Sequence, residues 1–197
     1  SDDLKGNKRV NNTSVTLSFS GNTITAGSST FANAVVGDYI VVTGATNEAN
    51  NGTHKITTKT SATVVVVDND LTSESSTASC KVQQNIKGAQ GLSLVGDTNS
   101  ATGTLAVGDY LGVLSGTLTT NQPVQLVMVT EVSTETSGTP NKYSVGIEPK
   151  LRQDIADNQL VKFNNAKGLF RLLESDVTWS ANQASVYSIS FSAIESI

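Results

Sequence analysis

The chain has 197 residues, 15% of them charged, and a formal net charge of −4, so no basic face is available to neutralise nucleic-acid phosphates and nucleic acid is not an expected partner. A single cysteine, Cys80, rules out an internal disulfide and any zinc site built from several cysteines. The longest apolar runs, such as TVVVV at 63–67, fall far short of the ~20 residues a membrane-spanning helix needs, and no basic segment leads into an apolar one at the start; the expectation is a soluble chain with no secretion signal and no membrane partner.

Aromatic residues make up 5% of the chain and proline occurs three times. Thr, Ser, Asn, Gly and Val dominate instead: β-branched residues suit pleated strands, and Asn, Gly, Asp and Ser supply the turns between them. The fold class expected is all-β, with two consecutive small β-barrel or sandwich-like units preceded by a polar N-terminal arm.

In chain order, residues 1–14 (SDDLKGNKRVNNTS) show neither a helical nor a strand period and read as the arm, either a frayed end or a segment draped over a neighbouring subunit through Lys5, Lys8 and Arg9. The first unit then spans 15–84. VTLSF alternates Val15, Leu17 and Phe19 on one face, and Ser20-Gly21 suggests a hairpin into NTITA. A strand begins near Asp38 in GDYIVV, Asn51-Gly52 turns the chain, and THKITT pairs with the preceding strand. ATVVVVD is an almost unbroken β-branched run, as in a strand covered on both faces. The second unit, 85–197, carries GLSLVG, a strand after Gly108, KYSVGIE, a turn near Gln153 to Asn158 that holds what little helix is expected, and closing strands in KGLFRLL and SVYSISFSAIESI.

AVVGDYIVVTG (34–44) returns as LAVGDYLGVLSG (105–116) in a chain with only four tyrosines. Spacing beyond the word is loosely kept: Ile56 follows Tyr39, and Val127 follows Tyr110, by the same interval. Either duplication or a shared turn solution yields such a word. The expected role of Asp38, Tyr39, Asp109 and Tyr110 is structural, with the carboxylate bonding turn N–H groups and the ring covering a core edge.

No catalytic constellation emerges. His54 is the sole histidine, has no nucleophile signature nearby, and reads as a surface residue. DNDLTSE (68–74) alternates oxygen side chains but lacks the glycine and distal glutamate of a calcium loop, and reads as a solvated turn. Phosphate-binding glycine loops are missing. Catalytic, cofactor and metal sites are all expected to be none.

The last third, IEPKLRQDIADNQLVKFNNAKGLFRLLESDVTWSANQASVYSISFSAIESI, resembles the C-terminal segment of tail proteins of long-tailed bacteriophages. The matching positions are Pro149, Leu151 and Arg152, then Ala156 and Asp157. They continue with Asn165, Lys167, Gly168, Phe170, Arg171 and Leu172, then Trp179, Tyr187, Ile189, Ser190, Phe191 and Glu195. Ala166 and Ser188 depart from the pattern, which has proline and glycine there. Residues 31–57 resemble instead a small β module recurrent in phage virion proteins.

The resemblance implies a non-enzymatic virion structural protein, in a tail or tail-tip ring, that is assembled in the host cytoplasm and contacts copies of itself and other virion proteins. Arg152, Arg171 and Trp179 join Lys5, Lys8 and Arg9 as subunit-interface candidates, the two arginines as partners for bidentate carboxylate pairs. Capsid decoration is the alternative. A carbohydrate-binding β module or a depolymerising enzyme acting at the host surface, with host-surface glycan as partner, is the competing class, opposed by one tryptophan and scattered acids.

Overall fold

The computed structural model describes residues 4–96, 105–115, 122–135, 140–173, 178–181, 187–190 and 192–195. The strands are β1 (Leu4–Gly6), β2 (Asn11–Ala26), β3 (Tyr39–Thr43), β4 (Gly52–Lys59), β5 (Val64–Gln83), β6 (Gly91–Gly96) and β7 (Tyr110–Ser115). Then come β8 (Gln122–Glu135), β9 (Lys142–Glu148), β10 (Leu160–Lys162), β11 (Phe170–Leu172), β12 (Thr178–Ala181), β13 (Tyr187–Ser190) and β14 (Ala193–Glu195). Among the described residues the only helix is one 3-10 turn, Glu48–Asn50, so the chain is all-β; no helix forms around Gln153 to Asn158.

The first unit is a curled sheet of β2, β5, β3 and β4. The start of β5 pairs with β4 and its end with β3, while β3 and β4 pair with each other. One long strand thus serves two edges and bends the sheet around a core that includes Leu17, Phe19, Ile24, Phe31, Ile40, Ile56, Val65, Val67 and Cys80. In the β-branched run, Val65 and Val67 are buried and Val64 and Val66 half-buried, so one face is fully covered and the other partly.

The second unit is a closed six-stranded barrel, β1-β10-β7-β8-β9-β6, around Leu92, Leu94, Leu111, Val127, Val129, Val145, Ile147 and Ile155. Closure leaves no free edge, and it depends on the N-terminal segment. Leu4 pairs with both Val161 and Gly96, with its side chain in the barrel core. The polar arm expected over 1–14 is therefore, over its described residues, a working part of both units. Leu4 enters one core and Val10 the other, and Asn11 and Asn12 already pair with β5.

Three further expectations are corrected. The hairpin at Ser20-Gly21 is instead one bent strand, β2, with repeated register shifts against β5 and Gly21 at φ 57°. DNDLTSE is no turn but the middle of β5, because its polar alternation faces solvent on a strand held by β2. The closing SVYSISFSAIESI does not make one strand: β13 pairs with β12, and β14 with β11, as two separate ribbons.

Candidate functional site

The repeated word builds the same turn twice. In both copies the glycine has φ 94°, a left-handed value that favours glycine. Asp38 Oδ2 accepts from Val35 N–H at 3.0 Å, and Asp109 Oδ2 from Ala106 N–H at 2.7 Å. Gly37 N–H donates to Ile56 O and Gly108 N–H to Val129 O, each at 2.8 Å. The return bonds, Ile56 N–H to Asp38 O and Val129 N–H to Asp109 O, are also both 2.8 Å. Each turn leads into a strand pair with a bulge at the same place, between Ile56 and Thr58 and between Val129 and Glu131. The counterpart of Ile56 is thus Val129 and not Val127, since β7 and β8 pair over a longer stretch than β3 and β4 before the chain turns back.

What differs is the surroundings. The first copy lies in the seam between the two units. Asp38 is fully buried and paired with the equally buried Arg9. Arg9 Nε donates to Asp38 Oδ2 at 3.2 Å, and Nη2 donates to Asp38 Oδ1 and to Ser144 Oγ (2.8 Å). Nη2 and Nη1 also reach Tyr143 O and Leu94 O on the barrel, at 3.3 and 3.4 Å. Ser144 Oγ donates in turn to Asp38 Oδ1 at 2.5 Å. A buried charge is tolerated only when paired and hydrogen-bonded, and here both ions are.

Beside this pair, the Tyr39 ring lies flat on barrel glycines: a Cβ on Gly91 would fall 2.2 Å from Tyr39 Cγ, and one on Gly146 2.8 Å from its hydroxyl. That hydroxyl donates to Glu131 Oε2 at 2.7 Å, and Lys55 bridges Glu131 Oε1. Burial, then the bond to the Glu131 carboxylate, push the Tyr39 phenol well above its ordinary value. The Lys55 ammonium, then the Tyr39 hydroxyl, hold Glu131 below the usual carboxylate range. Sequence reasoning missed Gly91, Gly146, Glu131 and Ser144. Glycines inside alternating strands, as in GLSLVG and YSVGIE, are a signal of close approach that could have found two of them.

Next to the seam, a cleft of about 810 Å³ is lined in part by Lys8, Val36, Lys59, Ser133, Glu135 and Lys142. Lys59 Nζ donates to Ala32 O at 2.6 Å and Lys142 lies 3.5 Å from Glu135, and no nucleophile and base converge among these residues.

His54 is buried, correcting its reading as a surface residue. Its Nδ1 lies 2.8 Å from Asn69 Oδ1 and its Nε2 3.0 Å from Asn50 O, so both ring nitrogens are engaged in holding the loop that starts β4. Glu74 is the other organiser of that loop. It accepts from Thr46 N–H (2.8 Å), Asn47 N–H (3.1 Å), Asn50 Nδ2 (2.9 Å) and the Thr77 hydroxyl. These bonds, the one from Thr77 foremost, lower its carboxyl to about 2. Cys80 is buried, as expected, and burial raises its thiol. Among the described residues no group of three or more His, Cys, Asp or Glu could hold a metal ion.

The six interface candidates scatter. Lys5 lies in β1 and Lys8 is half-buried with its N–H on Asp157 Oδ1 at 2.5 Å. Arg9 is at an interface, but one inside the chain. Arg152 Nη1 pairs with Glu195 Oε2 at 2.6 Å, also within the chain, while Arg171 is exposed on β11 opposite Ile194. Trp179 lies on β12 opposite Ile189.

Among the described residues, exposed large apolar side chains besides Val36 fall in two regions. One is the β11–β14 ribbon with its flanks, where Leu169, Phe170, Leu172, Leu173 and Ile194 are all exposed; successive residues point to opposite faces, so both faces are apolar. Glu195 ties the ribbon to the barrel through Arg152 and through Leu126 N–H at 2.6 Å. The other surrounds the second copy of the repeated word, with Val107, Tyr110 and Met128 exposed. No protein-family model, curated protein or solved structure matches the chain.

Proposed function

We propose that the chain is a non-enzymatic structural component of a bacteriophage particle, placed in the tail or tail tip and built into a ring with copies of itself and other virion proteins. The observation that supports this reading best is the β11–β14 ribbon. A two-stranded ribbon is marginally stable alone, and this one offers apolar side chains on both faces, a surface of the kind that marks protein–protein contact. It is also the segment whose residues resemble phage tail proteins. The Glu195 tether orients the ribbon without covering it, as a contact element for a neighbouring subunit would require.

Quantitative mass spectrometry of purified virions tests the reading. A closed tail ring predicts on the order of tens of copies per particle or fewer. Several hundred copies would turn the assignment to capsid decoration, and absence from particles would end it.

A further inference from the structure

We infer that the cleft in the seam beside Arg9 and Asp38 binds an acidic peptide segment of a protein partner. The inference stands on the charge and shape of the cleft and is independent of the particle reading. The chain carries a net charge of −4, yet the charged residues lining this cleft are Lys8, Arg9, Lys59, Lys142 and a single carboxylate, Glu135. Arg9 is matched by Asp38, and Lys142 lies 3.5 Å from Glu135. Two ammoniums are left over. Lys59 Nζ donates to Ala32 O at 2.6 Å, a neutral acceptor, and Asp157 takes the backbone N–H of Lys8, not its ammonium. Among the described residues neither of these lysines forms an ion pair.

The three lysines come from separate parts of the chain: Lys8 from the segment between β1 and β2, Lys59 from the end of β4, and Lys142 from the start of β9. All three are half-buried and line one concavity, so their positive charges add there. Holding like charges together costs the folded chain free energy, and a concave site with low-dielectric walls focuses their field on whatever enters. An anion in the cleft offsets the repulsion. The loop at 32–36 adds uncharged donors: the N–H groups of Asn33 and Val36 donate to no protein acceptor among the described residues, whereas Val35 N–H is taken by Asp38. Ammonium and N–H groups together are the donors that carboxylates accept from most strongly.

The lining selects among anions. At about 810 Å³ the cleft has the size of sites that take small molecules and short segments, more than one inorganic anion fills. No aromatic ring is among the described residues that line it, so it offers no face on which a sugar or a nucleobase stacks. Beside the charge it offers aliphatic surface, from Ala34, Val35 and the 53% exposed Val36. Lysines are compact charges on flexible stems and do not demand the planar, bidentate geometry an arginine imposes, which suits carboxylates carried on a flexible chain. A peptide with acidic side chains flanking an apolar one meets Lys8 and Lys59 and covers Val36. Because residues 32–36 and Lys59 belong to the first unit and Ser133, Glu135 and Lys142 to the barrel, such a segment also ties the two units together.

Fluorescence anisotropy of labelled hexaglutamate titrated with the full chain is the test, with hexaglutamine as its uncharged counterpart. Hexaglutamate is expected to bind with a sub-millimolar Kd that added salt weakens, and hexaglutamine is expected not to bind. Lys8→Gln/Lys59→Gln should weaken binding about tenfold or more, the scale of losing two charge contacts. Lys81→Gln/Lys87→Gln removes two exposed lysines outside the cleft, changes the net charge equally, and should leave binding as it is. A native chain that does not bind hexaglutamate, or equal weakening in both double variants, overturns the inference. So does an oligogalacturonate that binds the native chain more tightly than hexaglutamate, which would make the cleft a site for acidic glycan. If Lys8→Gln/Lys59→Gln unfolds, acetylation of the native chain read by mass spectrometry keeps the test. Hexaglutamate is then expected to slow labelling of Lys8 and Lys59 relative to Lys81 and Lys87, and unchanged labelling overturns the inference.

Discussion

Arg9 and Asp38 meet in the seam between the curled sheet and the barrel, both buried, with the guanidinium also reaching Ser144 and two barrel carbonyls. Arg9 lies between β1 of the barrel and β2 of the sheet and Asp38 immediately precedes β3, so the pair joins the N-terminal segment to the first unit and is completed by groups of the second. Removing one member leaves the other charged and unpaired in a dry site. Arg9→Met is expected to destabilise the protein by about 3–5 kcal/mol, the usual cost of an orphaned buried ion. Adding Asp38→Asn should recover part of that loss, since the amide oxygen can still accept from Val35 N–H. Urea unfolding of the native protein and the two variants measures both effects, and equal stability of Arg9→Met and the native protein would refute the account.

The repeated word was legible in the sequence because a turn is written in a few adjacent residues: glycine for a left-handed φ, aspartate for the N–H groups around it. Its two settings were not, since the partners of Tyr39 lie at Gly91, Glu131 and Gly146, far along the chain. The same reason hid β1. Three residues are too short for a period to register, and Leu4 pairs with strands that begin at Gly91 and Leu160. The middle of β5 was misread because Ser, Thr and Asp on an exposed strand carry the composition of a loop. On the candidate surfaces, KGLFRLL showed a strand but not that both of its faces stay uncovered, which depends on what the fold fails to place there.

Tyr39 sets an alkaline limit. Its phenol is raised above the ordinary value of 10.0, so the neutral form is favoured in the folded protein. The stability this provides is complete below pH 10 and declines as pH rises beyond it, because the unfolded chain ionises first. Tyr39→Phe should lose the bond to Glu131, lowering stability near neutrality by about 1 kcal/mol, while making the fall above pH 10 shallower. Denaturation midpoints between neutral and alkaline pH would show the two curves converging; parallel curves would mean that Tyr39 ionises as freely folded as unfolded.

Glu74 sets the acid side for the loop before β4. Its carboxyl is lowered from 4.5 to about 2 by the donors of residues 46, 47, 50 and 77, so its contribution is present above pH 4.5 and lost as pH falls toward 2. Glu74→Gln keeps the shape but offers one acceptor oxygen in place of two. Amide exchange at Thr46 and Asn47 should speed up in this variant at neutral pH. In the native protein the same amides should lose protection as the solution is acidified through that window. Unchanged exchange in the variant would assign the order of the loop to His54 and Asn50 instead.

The N-terminal segment offers the sharpest contrast between a tail and a structural strand. Deleting residues 1–10 removes β1, which links β6 to β10 and closes the barrel, and takes Leu4 and Val10 out of the two cores. It also removes Arg9 from Asp38. Loss of a buried aliphatic side chain alone costs about 2–5 kcal/mol, and the open barrel exposes β6 and β10 as unpaired edges of the kind that aggregate. The truncated chain should therefore melt about 10 °C lower or more, and its barrel amides, those of Leu94 and Val161 among them, should exchange freely. A frayed arm would leave melting and exchange as they were. That outcome would require β6 and β10 to pair with each other without β1, and would contradict the register in which Leu4 stands between Gly96 and Val161.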